Sequence, residues 1–355
     1  MPELEDRWRD PAFVATAHAW IADRLAERGL TATGAIEQPH VTEWSTVMRV
    51  PTGHGPVWFK ANDDTLRHES AVTALVAPLS AGRVPAPLAG DPDTGWMLLA
   101  DAGPRLRDVL VGERTLDRWH DVLEAYARVQ LACEGAVDAL LAAGLPDRRL
   151  PTLPGAYADL LAGLDDADPR LPGAEAIVDL CDRLAAFGIR ETVQHDDLHD
   201  GQVFLGQGVH QVLDWGDACV SHPFFTLAVT LEGVIAWGVD DVEASEDLEP
   251  HLAAYLRPYE AAYDLTADEL REAARIAMRL GWVCRAVNGA LPQDPDGTRT
   301  RLKMFLDGKP SGPRPAAASY VMAAGRRDDT PGRGASPAPG SPCCWPAARS
   351  ASPAR

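Results

Sequence analysis

The chain has 355 residues, 46% of them hydrophobic, which is enough for a packed body larger than one growing core and predicts two lobes or domains. Its formal charge of -19 excludes a nucleic acid or an anionic membrane as the main partner, because phosphate surfaces attract Lys- and Arg-rich faces. The six cysteines, Cys133, Cys181, Cys219, Cys284, Cys343 and Cys344, form no CxxC pair and no zinc spacing, and MPELEDRWRD at the start is neither a basic leader nor an apolar signal core.

In chain order, Phe13, Ala17, Trp20, Ile21 and Leu25 recur at helical spacing over residues 11–28, and Gly29 ends that helix. From Thr31 to Ala61 the texture turns β-rich: Val47, Val50, Val57 and Phe59 flank the turn Pro51-Thr52-Gly53-His54-Gly55-Pro56, which predicts a hairpin. Leu66, Glu69, Val72, Leu75 and Leu79 return to helical spacing, and Pro85 and Pro87 open an extended piece ending in Trp96-Met97-Leu98-Leu99. Beyond Gly103 the pattern is mainly helical, with short strands expected around Thr192 to Gln194 and within Val203 to Leu213. The most apolar run, Phe224 to Val239, is interrupted by Glu232 and too short to span a bilayer, so a cytoplasmic location is expected. From Gly308 the chain is rich in Pro, Gly, Ala, Ser and Arg without apolar periodicity, and disorder is expected there. That tail carries a net +5, leaving -24 on the body before it. The expected organisation is residues 1–103 as a small lobe, 104–307 as a larger helical lobe, and 308–355 as a tail.

One stretch stands apart. Gln194-His195-Asp196-Asp197-Leu198-His199-Asp200-Gly201-Gln202 reads as a polar loop between strands, and the hairpin after it returns a second carboxylate in Leu213-Asp214-Trp215. Phosphoryl transfer needs one carboxylate to orient the attacking hydroxyl, with an amide oxygen and another carboxylate to hold magnesium against the phosphates. Asp197 and Gln202 are spaced like the D-x-x-x-x-N of a kinase catalytic loop.

His195-x-Asp197-Leu198-His199-x-Gly201-Gln202 resembles the HxDLHxGN signature of aminoglycoside phosphotransferases and related small-molecule kinases, and Leu213-Asp214-Trp215 resembles their IDW segment. The resemblance implies an α+β, protein-kinase-like bilobal fold: a small N-terminal β-sheet lobe with a helix, and a larger, mainly helical C-terminal lobe. It implies ATP and Mg2+ as cofactors, Asp197 as catalytic base, Gln202 and Asp214 as magnesium ligands, and His195 as a scaffold residue. Two departures stand out. Gln202 replaces the family's Asn, keeping the amide oxygen but adding a methylene. Ser221-His222-Pro223-Phe224-Phe225-Thr226-Leu227-Ala228 replaces G-D-P-x-x-D-L-A, so two carboxylates are missing and the loop must be braced differently.

Upstream, Val57-Trp58-Phe59-Lys60-Ala61 puts a lysine in an apolar strand, and Glu69 follows on the predicted helix, which suits the phosphate-anchoring ion pair of kinases. The chain has only three lysines against thirty arginines, so this one is not surface decoration. By the resemblance Lys60 would contact the α- and β-phosphates, and Leu99 to Gly103 would be the hinge that pairs with adenine. No GxxxxGK[ST] or GxGxxG is present, and a phosphate-covering turn is expected near Glu43-Trp44-Ser45-Thr46. The acceptor would be a small-molecule hydroxyl. The -24 body and the acidic run Asp240 to Glu249 favour a cationic one, such as an aminoglycoside-like antibiotic. Two competing classes are a nucleotide-binding pseudokinase, suggested by Gln202, and a metal-dependent phosphohydrolase using His195 and His199. The second lacks the further His/Asp motifs a two-metal centre requires.

Overall fold

In the computed structural model, residues 4–206, 208–239, 245–290 and 295–308 are described. The expected tail beyond Gly308 and the acidic residues Asp240, Asp241 and Glu243 lie outside them. The chain forms two compact units, one of residues 4–109 with 201–216 and the other of residues 110–200 with 217–308.

The first unit is built on a five-stranded antiparallel sheet of order β1-β2-β3-β5-β4, from β1 (Glu37–Val41), β2 (Ser45–Val50), β3 (Val57–Asn62), β4 (Ala89–Gly90) and β5 (Met97–Ala100). Helix α1 (Pro11–Ala26) starts where Asp10 accepts the backbone N–H of Ala12 and Phe13, with Pro11 in the first turn. Its Ala17, Ile21 and Leu25 pack with Met48, Val50, Val57, Phe59, Ala61 and Leu98 on one face of the sheet. Strand parity then puts Trp58 and Lys60 on the other face. There Val47, Trp58, Met97 and Leu99 pack with Phe204, in the hairpin of β7 (Val203–Gly206) and β8 (Val209–Val212), and with Leu213 just after it. The sequence pattern predicts one long helix over residues 66–79. The structure instead has α2 (Glu69–Val76) between two short 3-10 turns, because Asp63 caps the first turn and Pro78 opens the second.

Helix α3 (Leu106–Glu113) leads into the second unit. Its helices are α4 (Arg118–Cys133), α5 (Val137–Ala142), α6 (Leu153–Ala162), α7 (Ala174–Ala185), α8 (Glu249–Ala262), α9 (Ala267–Asn288) and α10 (Pro295–Asp307). Strand β6 (Thr192–Gln194) pairs with β9 (Cys219–Ser221), and residues Ala228–Val234 form a π-helix, a form frequent at functional positions. Helix α9 begins with a reciprocal capping box between Thr266 and Glu269, which satisfies two orphan donors of its first turn. Gly281 allows α9 to approach the 3-10 turn Pro223–Phe225: a Cβ there would stand 2.5 Å from the Phe225 carbonyl oxygen and 2.8 Å from the Ala228 Cβ. Gly281→Ala is therefore expected to destabilise the protein by about 1–3 kcal/mol, because backbone must move to admit the methyl. A thermal melt equal to wild type would show that this approach is not tight.

Candidate functional site

Lys60 comes first because burying an ammonium without partners is prohibitive. Its Nζ stands 2.5 Å from Asp214 Oδ1 and 2.7 Å from Glu69 Oε2, and all three side chains are at most 1% exposed. Three local choices create the cluster. Parity aims Lys60 at the face where Leu213 packs, so the next residue, Asp214, arrives beside it. Asp214 has φ +68, a left-handed conformation uncommon for a residue with a side chain, of the kind that collects at functional sites. Glu69 sits in the first residue of α2, and Asn62 donates from Nδ2 to the same Oε2 at 2.5 Å. His68 Nε2 lies 2.9 Å from the Gly216 carbonyl oxygen and ties the start of α2 to the segment just after Asp214.

Gln202 and Asp214 stand at one end of the β7–β8 hairpin. The register pairs Val203 with Val212, and the Leu213 N–H donates to the Gln202 carbonyl at 2.9 Å. Both side chains are buried and both offer oxygen, the donor type hard cations prefer. No group of three or more His, Cys, Asp or Glu residues suited to a metal occurs among the described residues. A pair of oxygen donors fits magnesium, which usually takes one or two protein ligands and fills its shell with water and phosphate oxygens. At the segment expected to cover phosphates, the Ser45 N–H donates to Thr42 Oγ1 at 3.1 Å and closes a turn. Gly103, ending the expected hinge, has φ +82, and a Cβ there would meet the Leu205 carbonyl oxygen at 2.5 Å.

Asp197 lies in the second unit, among residues that sequence reasoning missed. Arg285 on α9 is buried and reaches three carboxylates: Nη2 is 2.9 Å from Asp197 Oδ1, while Nη1 is 3.0 Å from Asp217 Oδ1 and 3.6 Å from Asp196 Oδ2. One turn on, Asn288 Nδ2 donates to Asp196 Oδ2 at 3.0 Å and to the Asp217 carbonyl at 2.7 Å. Burial opposes ionisation of Asp197, but Arg285, His199, His195 and Arg301 together outweigh it and hold this carboxyl below its usual range. Burial lifts Asp196 to about 6 despite Arg285, and it raises Asp217 as well, where the nearby Asp197 charge adds to the effect. The chain's only two asparagines, Asn62 and Asn288, both brace these polar groups, and that scarcity was the one signal available in the sequence.

The two carboxylates missing after Asp214 have replacements. His222 caps the 3-10 turn as an acceptor, its Nδ1 taking the Phe224 N–H at 3.2 Å, and burial lowers its pKa to about 3. The loop before it is held from two sides: Thr230 Oγ1, on the π-helix, donates to the Leu198 carbonyl at 2.8 Å, and the His195 N–H donates to Tyr126 Oη at 2.8 Å. A neutral buried histidine has a pH signature. The unfolded chain takes up its proton near pH 6.5 and the folded chain does not, so stability is intact above pH 6.5 and falls as pH drops from there toward 3. Between pH 6.5 and 5 this one group costs about 2 kcal/mol. His222→Asn, which keeps a capping acceptor, is expected to flatten that slope in urea melts, and an unchanged slope would show that His222 is not its source.

The profile of the phosphotransferase enzyme family matches residues 45–265. No curated protein sequence matches. Among solved structures, a choline/ethanolamine kinase family protein from Mesorhizobium loti is 17% identical with TM-score 0.54, over 86% of this chain and 98% of its own. Aminoglycoside 2'-phosphotransferase-IIIa, in a GDP complex, is 12% identical with TM-score 0.54, over 82% of this chain and 97% of its own. An ethanolamine kinase from Plasmodium vivax is 11% identical with TM-score 0.51, over 79% and 83%. These likenesses show the fold, which is α+β and protein-kinase-like.

Proposed function

Since the chain belongs to the phosphotransferase enzyme family and transfers phosphate to hydroxyl groups of small molecules, we propose that it uses ATP with magnesium and acts on a cationic acceptor. The observation that carries the nucleotide part is the buried Lys60 bonded to both Glu69 and Asp214, a cation held where phosphates need a point charge. In this reading Lys60, positioned by Glu69, contacts the α- and β-phosphates, and Gln202 and Asp214 are the magnesium ligands. Bound magnesium would neutralise charge developing on the phosphates. Asp197 orients the acceptor hydroxyl and takes its proton as the oxygen bonds to the γ-phosphorus and ADP leaves. Catalysis here is mostly positioning, which is why a rigid loop braced by Thr230 and Tyr126 matters. ATP as donor places this work in the cytoplasm.

The cationic acceptor is supported by Glu232 on the π-helix, whose Oε2 accepts from the Trp282 indole N–H at 2.6 Å, so a carboxylate stands beside an aromatic ring in the second unit. Carboxylate and indole together suit an ammonium. Glu246, Asp247 and Glu249 add acidic charge on that unit. The similar structures named for choline, ethanolamine or aminoglycosides bear the names of cationic hydroxyl compounds. The test is transfer from ATP, detected by mass, to panels of cationic, neutral and anionic hydroxyl compounds. Phosphorylation of cationic members is expected. Transfer only to neutral or anionic members sinks the charge assignment, and binding of magnesium-ATP without transfer to any member sinks the catalytic one.

A further inference from the structure

We propose that Arg285 is a positioning residue for phosphoryl transfer: its planar guanidinium fixes the Asp197 carboxylate against Asp217, leaving one Asp197 oxygen to orient the acceptor hydroxyl. The inference rests on the reading of Asp197 as the base and adds the group that aims it. The geometry is specific. Two different nitrogens of one fork serve two different carboxylates, Nη2 to Asp197 at 2.9 Å and Nη1 to Asp217 at 3.0 Å, so the angle between the two carboxylates is set by the plane between them. Asp197 Oδ1 is thereby engaged, while Oδ2 accepts no hydrogen bond among the described residues and lies 3.6 Å from His199 Nε2. Asp217 is in turn fixed through its own carbonyl by Asn288, one turn along the same helix, which also holds Asp196. One face of α9 thus grips the catalytic loop on one side and the 3-10 turn Trp215–Asp217 on the other.

A purely structural role would use Arg285 only to neutralise buried charge, and a lysine would then serve almost as well. The two roles separate because an ammonium is a point charge that cannot hold two carboxylates in one plane. The probe is magnesium-ATP, with turnover read as ADP formation in the presence and absence of the acceptor panel. Arg285→Lys is expected to stay folded and to keep the KM for ATP while kcat falls about 100-fold, the size of effect a small misplacement of a reacting group produces. The acid limb of kcat should also move to higher pH, because an ammonium that cannot serve both carboxylates at once holds the Asp197 charge less firmly against its own burial. Asp217→Asn, which keeps the guanidinium but weakens its second anchor, should lower kcat by a smaller factor and serves if Arg285→Lys does not fold. Wild-type kcat and an unmoved acid limb in the folded variants would overturn the proposal. Asp197→Ala is measured alongside: if it too keeps kcat, the reading of Asp197 has failed, whereas loss in Asp197→Ala with none at Arg285 or Asp217 refutes the positioning role alone.

Discussion

Asp197→Ala is expected to lower kcat by about 10²–10⁴-fold, the range over which a positioned proton acceptor contributes, while the affinity for magnesium-ATP stays near wild type. The separation follows from where the residue lies. Lys60, Glu69, Gln202 and Asp214, the proposed nucleotide and metal residues, belong to the first unit, and Asp197 belongs to the second, where its partners are Arg285 and His199. The substitution should also leave the fold standing. Arg285 keeps Asp217 at 3.0 Å and Asp196 at 3.6 Å, so no uncompensated cation is left, and Asp217 loses a like charge that had raised its pKa. Nucleotide titration calorimetry and single-turnover transfer on the same preparation check both halves. Near-normal kcat would remove Asp197 from the role of base, and lost nucleotide binding would mean that it does more than orient the acceptor.

How much of this was legible in sequence depended on how far apart the cooperating residues lie. Asp197, Gln202 and Asp214 sit within one loop and hairpin, so their spacing carries the geometry directly. Lys60 was legible because a lone lysine interrupts a continuously apolar strand in a chain that has only three lysines. Arg285 was not. Its partner Asp217 is 68 residues away, and Asn288 is 92 residues from Asp196, so no local pattern joins them, and on a 22-residue helix with four arginines nothing marks this one as buried. Strand β9, with three residues, is too short to show a period, and the π-helix follows the same apolar rhythm as an α-helix. The altered segment after Asp214 announced that bracing must change. That Thr230, on the π-helix, would supply part of it required coordinates.

Lys60→Met is expected to cost about 3–5 kcal/mol of stability, the usual price of removing one partner from a buried ion pair and stranding the other. Here two carboxylates are stranded, Glu69 and Asp214, each at most 1% exposed and each within 2.7 Å of the lost ammonium. Methionine fills the stem's volume on the sheet face, so packing changes little and the loss is electrostatic. Asn62 continues to donate to Glu69 Oε2, which moderates the effect without removing the repulsion between the two carboxylates. Urea melts should show a lower midpoint with an unchanged m-value, since the surface exposed on unfolding is the same. Glu69→Gln, which leaves a neutral amide beside an intact Lys60–Asp214 pair, should cost less than Lys60→Met at neutral pH. A Lys60→Met protein that melts like wild type at every pH would show that the two carboxylates do not depend on this lysine, and its proposed contact with phosphate would lose its physical basis.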